Sequence, residues 1–258
     1  MCLIFVSYNS NAYCRYVIAA NRDEFRCRAT APLGYIDGEK TILGGRDLQA
    51  GGMWLGASRG GKFGAITNYR DGSGAGKGMP SRGKIVSEYL HCNDSALSAI
   101  ERLAKNAQRY AGFNVLFGDD CHLVYYSNMQ QEVRILEPGF YGLSNHLLDT
   151  PWPKVVKGKG LLQAHMCGQS KINAAEITKL LGDTSSPVDA MLPETGVSIE
   201  LERFLSTIFI DGADYGTRST AVIEIGYLGD VIFTETSYIH GVEMKNTSQK
   251  RMEIVVDR

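Results

Sequence analysis

The order of strand-like and helix-like segments is the feature that most constrains the fold of this chain. Strand signals fill the first part, two amphipathic helices follow, strands return, and a second helical block precedes the last strands. No linker or internal repeat divides the 258 residues. This order predicts an α+β fold in a single domain over 1–258. We favour a four-layer αββα sandwich, although periodicity alone is also consistent with other α+β layouts.

The individual segments follow from local signals. Strands are predicted at 3–8, 16–20, 53–55, 63–67, 113–117, 122–126, 133–136, 221–225, 231–234 and 251–255. Helices are predicted at 81–91, from an N-cap at Asp94, and at 154–166 and 173–181, the last with Asn173 as N-cap and Gly182 as the C′ residue. Residues 71–80, rich in glycine, are predicted to form a flexible loop.

Composition and charge exclude several classes of protein. A hydrophobic fraction of 44% can fill a sizeable core and excludes the disordered class. A net charge of -1 argues against a nucleic-acid partner. No apolar run approaches the ~18 residues of a transmembrane segment. The apolar run at 3–6 is also too short, and lacks a preceding basic region, for a secretory signal.

The cysteines indicate a reducing compartment. None of the six forms a CxxC pair, so neither a zinc ribbon nor a thioredoxin motif is predicted. A chain of this length does not need disulfides to stabilise its core. We therefore expect reduced thiols and a cytoplasmic protein, and the sequence leaves the oligomeric state open.

Cys2 is the residue that points most directly to chemistry. Aminopeptidases remove Met1 when the next residue is small, as Cys is, and Cys2 would then be the N-terminal residue. Its thiol would be a nucleophile and its own α-amine, with a pKa of about 7.7–8.0, would be the base. The alternative is that Cys2 only begins a buried strand.

Clusters of polar residues follow several predicted strands. Asn21 to Glu24 end the second strand, so Asp23 could hold the α-amine and Arg22 could favour a thiolate at Cys2. The alternative is a charged turn. Similar clusters contain Arg46, Asn68, Arg70, Asn145 and Arg218. Asparagine can donate to an oxyanion and arginine can bind a carboxylate or phosphate, although each cluster is also typical of a turn.

Seven motifs occur in a characteristic order. They are MCLIF at the start, AANRDEF at 19–25, GGMWLGAS at 51–58, TNYR at 67–70, GLSN at 142–145, TPWPK at 150–154 and YGTRST at 215–220. In this combination the chain resembles the NRDE family, also called transport and Golgi organization protein 2-like, over nearly its whole length. The resemblance implies the N-terminal nucleophile (Ntn) hydrolase fold, an αββα sandwich known from amidases with an N-terminal Cys.

The resemblance also implies site residues. The catalytic candidates are Cys2, Arg22, Asp23, Asn68, Asn145 and Arg218, with Asn68 or Asn145 as the oxyanion donor. The ligand-binding candidates are Asn21, Glu24, Arg46, Trp54, Arg70 and His146. Arg and Asp are spaced differently in those amidases than the adjacent Arg22 and Asp23 here, which leaves the roles of this pair open.

Three functions are consistent with the residues and with this resemblance. The resemblance implies haem trafficking or binding, or a role in acyl-CoA or lipid metabolism, with a small molecule as the partner. The alternative is an Ntn-type cysteine hydrolase that cleaves an amide or thioester, so whether the chain is an enzyme stays open. Haem would be a transported ligand, with His146 nearest the expected cleft, and no resident cofactor or metal site is predicted. The residues 119–122 include metal-ligand types but are typical of a hairpin turn.

Overall fold

A computed structural model describes residues 2–70, 78–167, 171–239 and 242–252. Thirteen strands in these residues form two antiparallel sheets. The six-stranded sheet comprises β1 (Cys2–Tyr8), β2 (Cys14–Phe25), β10 (Gly139–Leu143), β11 (Tyr215–Gly226), β12 (Val231–Ile239) and β13 (Val242–Met252), ordered β10-β1-β2-β11-β12-β13. The seven-stranded sheet comprises β3 (Thr30–Tyr35), β4 (Ile42–Asp47), β5 (Leu55–Ser58), β6 (Phe63–Asn68), β7 (Phe113–Gly118), β8 (Leu123–Ser127) and β9 (Val133–Leu136), in sequence order.

Helices cover the outer faces of both sheets. The helices are α1 (Gly83–His91), α2 (Ala96–Ala104), α3 (Pro153–Met166), α4 (Ala174–Leu180) and α5 (Ile199–Leu205). One apolar cluster joins α1 and α2 to the seven-stranded sheet, and another joins α3 and α4 to the six-stranded sheet. A third cluster lies between the two sheets. The predicted four-layer αββα sandwich is therefore confirmed. No helix in the described residues has the length and apolar character needed to cross a membrane.

Alternation along β1 explains its central place in the sandwich. Successive side chains of a strand point to opposite faces. Ile4 and Val6 belong to the cluster between the sheets, whereas Leu3 and Phe5 belong to the cluster under the helices. A strand that is apolar on both faces is stable only when both faces are covered. The same alternation places Cys2 on the face between the sheets.

The second strand is longer than the sequence predicts. Its apolar part was expected to end at Ala20, but β2 continues to Phe25 and carries the four polar residues 21–24 inside the sheet. Its partners continue with it, since Asn21 pairs with Leu3 and Thr220 and Asp23 pairs with Thr217. These residues are therefore part of the sheet and not the charged turn that was their alternative interpretation.

Other predictions differ in detail. The N-cap of α2 is Ser95 and not Asp94, because Ser95 Oγ accepts from the backbone N–H of Ser98. Asn173 caps α4 as predicted, by accepting from two backbone N–H groups. Strands β3, β4 and β10 and helix α5 were not predicted. Residues 71–77 of the predicted loop and 253–255 of the last predicted strand lie outside the described residues.

Candidate active site

A cavity of about 400 Å³ lies at the end of the sandwich where β1 begins and β2 ends. Both sheets, the residues before α1 and the first residue of α1 contribute to its walls. A volume of this size falls in the range typical of small-molecule sites. The lining includes six of the residues that the sequence singled out, Cys2, Arg22, Asp23, Glu24, Trp54 and Asn68.

Cys2 lies in the wall of this cavity and is 8% exposed. It is the first residue of β1 and pairs in register with Arg22 of β2. Burial, as the main cause, raises the pKa of the Cys2 thiol to about 11. The thiol of the chain that retains Met1 is therefore neutral at pH 7.

Arg22 faces the same cavity as Cys2. It shares the inner face of β2 with Ile18 and Ala20, and it is 6% exposed. Its Nη1 atom finds no hydrogen-bond partner among the described residues. A buried guanidinium group with an unsatisfied donor carries a large desolvation penalty, which an anionic ligand would relieve.

Asp23 is held from the opposite face of β2. Thr217 Oγ1 donates to Asp23 Oδ1 at 2.7 Å, and the Tyr215 hydroxyl donates to the backbone carbonyl of Asp23 at 3.1 Å. Burial raises the pKa of Asp23, and the positive charge of Lys154 opposes this shift. The side chains of the adjacent Arg22 and Asp23 thus lie on opposite faces of the sheet.

Lys154 is a site residue that the sequence analysis missed. It is buried in the first turn of α3, and its Nζ donates to the Leu205 carbonyl at 2.7 Å. Burial lowers the pKa of Lys154 to about 8, although Asp23 and, more weakly, Cys2 act against this shift. The lysine of the TPWPK motif was a signal for it, because a charged residue at the start of a helix that faces the core requires a partner.

Asn68 and Glu24 complete the polar part of the lining. Asn68 ends β6 with an exposed side chain, while its backbone carbonyl accepts from Asn145 Nδ2 at 3.0 Å. Glu24 Oε1 accepts from the backbone N–H of Phe25. The Asn68 amide can thus donate into the cavity without breaking the fold.

Two catalytic candidates lie outside the cavity lining. Asn145 is fully buried and connects the two sheets, since its carbonyl accepts from the Arg70 N–H at 2.7 Å and its amide donates to Asn68. Arg218 lies at a register shift in β11 and donates to the backbone carbonyls of Phe25 and Arg28. In these positions both side chains have backbone partners.

Four ligand-binding candidates also lie away from the cavity lining. Asn21 donates to the carbonyls of Leu181 and Ile208 on the helix side. Arg46 is exposed on β4. Arg70 forms an ion pair with Glu202 at 3.2 Å, and its guanidinium lies over the Trp152 ring. The imidazole of His146 forms hydrogen bonds with the hydroxyls of Tyr69 and Thr150. Burial lowers the pKa of His146, so its imidazole is neutral at pH 7.

Comparison of the sequence identifies relatives over nearly its full length. The family model described as Transport and Golgi organisation 2 matches residues 1–240. The Transport and Golgi organization 2 homolog of Mus musculus is 33% identical, with 93% of this chain and 94% of that protein covered. The Transport and Golgi organization protein 2 of Drosophila melanogaster is 27% identical, with 91% of each covered.

Comparison of the structure identifies Ntn hydrolases. The Caenorhabditis elegans ortholog of N-acylethanolamine-hydrolyzing acid amidase matches with a TM-score of 0.54 at 13% identity, covering 86% of this chain and 92% of that one. The C2A mutant of conjugated bile acid hydrolase from Clostridium perfringens also has a TM-score of 0.54, at 10% identity, covering 99% and 97%. At these identities the likeness shows the fold alone, and it confirms the predicted Ntn hydrolase fold.

Proposed function

The chain belongs to the Transport and Golgi organisation 2 family, and on this premise we propose that it is an N-terminal cysteine hydrolase that cleaves an amide or thioester with an anionic group. One observation carries the proposal. Cys2 and the incompletely partnered Arg22 are register partners on one face of the sheet, and both face the same cavity. This arrangement suits such a reaction, because the cation can bind the anionic group while the nucleophile attacks the carbonyl.

The reaction begins once Met1 has been removed. The Cys2 sulfur attacks the carbonyl carbon of the substrate, and the thiol proton passes to the α-amine of Cys2. The protonated amine then gives this proton to the leaving amine or thiol as the C–N or C–S bond breaks. Water attacks the acyl-enzyme in the same way, which releases the carboxylic acid and restores the thiol.

Three side chains would have supporting roles in this reaction. The Asn68 amide lines the cavity and would donate to the oxyanion that forms on the attacked carbonyl. Asp23 lies close enough to Cys2 for its negative charge to affect the thiol, and it would hold the α-ammonium form of the N-terminus. Lys154 would keep the buried Asp23 ionised.

Two solved neighbours give this proposal a chemical precedent. One is named as an amidase and the other as a bile acid hydrolase. The named substrates belong to those two proteins, and their reaction class alone supports the proposal. Six free cysteines fit the reducing cytoplasm that the sequence predicts.

The test is turnover of octanoyl-CoA and of N-octanoylglycine, a thioester and an amide that both carry anionic groups. We expect hydrolysis of at least one, and an octanoyl adduct on Cys2 in the intact mass after rapid quenching. Cys2→Ala should abolish both signals. Cys27→Ala, which removes an exposed thiol, is the matched control and should retain them. Equal turnover by Cys2→Ala, or no turnover by a wild-type protein that lacks Met1, would overturn the proposal.

A second candidate function is binding of haem or acyl-CoA without turnover. Its support is the mixed lining, in which Met53 and Trp54 offer apolar contacts and Arg22 and Arg82 offer positive charge for propionates or phosphates. His146 does not line the cavity, so a haem there would take a sulfur ligand such as Cys2. A Soret shift on haem titration that Cys2→Ala removes, in the absence of hydrolysis, would favour this function.

A further inference from the structure

We propose that the start of α1 and Arg22 together form a subsite for an oxyanion, so that the ligand of this cavity carries a phosphate or a carboxylate. The inference rests on the proposed function only for the statement that this ligand is a substrate. Three residues at the start of α1, Ser81, Arg82 and Gly83, belong to the cavity lining.

The first turn of α1 presents unneutralised positive charge. It contains no acidic residue, and no side chain caps it. The Lys84 and Ile85 N–H groups already donate to the carbonyls of Ser81 and Arg82, at 3.4 and 3.0 Å. What this helix start offers an anion is therefore the partial positive charge of the helix dipole. A helix start in the wall of a cavity is therefore a site that attracts anions.

A close approach of two glycines fixes this helix start against the site. A Cβ atom on Gly52 would lie 2.5 Å from the carbonyl carbon of Gly83. Because neither residue has a side chain, the backbones touch, and the Met53 N–H donates to the Gly83 carbonyl at 3.1 Å. The helix start is thus held in place before any ligand arrives.

Arg82 adds a full charge next to this helix start. Its Nη1 donates to the Gly112 carbonyl at 2.9 Å, and it has no ion pair with a carboxylate in the described part of the chain. The third arginine of the cavity differs, since Arg28 Nη2 lies 2.7 Å from Asp47 and its Nε lies 3.8 Å from Glu24. Arg28 is therefore neutralised by two carboxylates, whereas no carboxylate among the described residues pairs with Arg82.

Arg22 provides an independent observation that points to a ligand. Its guanidinium is more than nine-tenths buried, lines the same cavity and has an unsatisfied Nη1. Three nearby carboxylates already accept hydrogen bonds within the protein: Asp47 from Arg28, Asp23 from Thr217, and Glu235, which also interacts with the charge of Arg22, from the Leu33 N–H. Two guanidinium groups beside the positive end of the α1 dipole then remain to bind oxygen atoms of a ligand, and this combination matches phosphate or carboxylate.

The test is calorimetric titration of the full-length Cys2→Ala protein with inorganic pyrophosphate and, separately, with hexanoate. Cys2→Ala cannot turn over a substrate, so binding is measured apart from hydrolysis. We expect saturable binding of at least one probe, weakened about tenfold or more by Arg82→Met, as loss of one charged hydrogen bond predicts. Arg203→Met, which removes a partly exposed arginine paired with Asp189 and away from the cavity lining, should bind like the parent.

A second variant separates binding from stability. Ser81→Asp places a negative charge at the start of α1, where it should stabilise the helix and raise the melting temperature. The same charge should weaken anion binding by about tenfold. A purely structural role for this region predicts no loss of binding in a stabilised variant.

The outcomes distinguish the sources of the oxyanion and the two proposals. Tighter binding of pyrophosphate indicates a phosphate-bearing ligand, and tighter binding of hexanoate indicates a carboxylate. Anion binding without hydrolysis by the wild type would retain the subsite and overturn the hydrolase. The subsite would be overturned if neither probe bound, or if Arg82→Met and Arg203→Met lowered the binding affinity equally.

Discussion

At the scale of single residues, the alternation of side chains along β2 places Arg22 and Asp23 on opposite faces of the sheet. Arg22 points between the sheets toward the cavity, and Asp23 points toward the helices, where Thr217 binds it. Under the proposed mechanism, Arg22 would therefore meet the ligand while Asp23 would hold the α-amine of Cys2.

Lys154 makes stability depend on pH. Burial lowers its folded pKa to about 8, against a value of about 10.4 in an unfolded chain. Between these values the unfolded chain binds more protons, so the free energy of unfolding rises with pH. The unfolding free energy of the wild type minus that of Lys154→Met should accordingly rise from pH 8 to pH 10, by at most about 1.4 kcal/mol per pH unit.

This difference is measured by urea unfolding at a series of pH values. Lys105→Met, at an exposed position after α2, is the control for loss of a lysine. A difference that stays constant from pH 8 to pH 10 would contradict a lowered pKa for Lys154.

At the scale of elements, helix α3 shows how a glycine can be required at one position and dispensable nearby. A Cβ atom on Gly158 would lie 2.2 Å from Phe5 Cζ, because α3 packs directly on β1. A Cβ atom on Gly160 would have no neighbour within 4 Å. The two glycines therefore form a matched pair within one helix.

The two alanine substitutions should change the free energy of unfolding in opposite directions. Gly158→Ala overpacks the layer between α3 and β1 and should lower the free energy of unfolding by about 1–3 kcal/mol. Gly160→Ala should raise it by about 0.5–1 kcal/mol, because alanine is the better helix former. Chemical unfolding of both variants checks this, and destabilisation by Gly160→Ala would show that the packing of α3 is misjudged.

Elements were predictable from sequence where the apolar pattern is strong. Strands such as β7 and β8 and helices such as α2 and α4 follow from apolar residues at the right period. The end of β2 was not predictable, because its polar residues find partners from β11 and α3 that local sequence does not reveal. Strand β10, which reads GFYGL, has weak strand signals and depends on its pairing with β1.

The residues of the cavity were predictable only in part, because some of them come together only through the tertiary structure. Motifs indicated Cys2, Arg22, Trp54 and Asn68, which the fold brings together. Arg82 was missed because its role depends on the place of a helix start, which only the tertiary structure fixes.

At the scale of the whole molecule, the two sheets are joined at the cavity end by the GLSN and TNYR motifs. Thr67 Oγ1 donates to the Ser144 carbonyl at 2.7 Å, the Arg70 N–H donates to the Asn145 carbonyl, and Asn145 Nδ2 donates to the Asn68 carbonyl. These bonds cross from the end of β6 to the loop after β10. They set the separation of the sheets where the cavity lies.

The two asparagines of this junction should behave differently. Asn145→Ala removes a buried hydrogen bond and should lower the free energy of unfolding by about 1–3 kcal/mol. Asn68→Ala removes an exposed amide and should leave stability nearly unchanged, while turnover falls by about 10²-fold if this amide holds the oxyanion. Thermal unfolding and turnover of both variants test this division. Normal stability with lost turnover in Asn145→Ala would instead make Asn145 the oxyanion donor.

The central claim is that Cys2 becomes a reactive N-terminal nucleophile, and a brief iodoacetamide pulse at pH 6.5 tests it most directly. Intact mass and peptide mapping report both the loss of Met1 and the order in which the thiols react. We predict loss of Met1 and alkylation of Cys2 ahead of the exposed Cys27, Cys121 and Cys167, because its own α-amine would generate the thiolate that burial otherwise suppresses. Retention of Met1, or a Cys2 that reacts after those three thiols, would contradict the account.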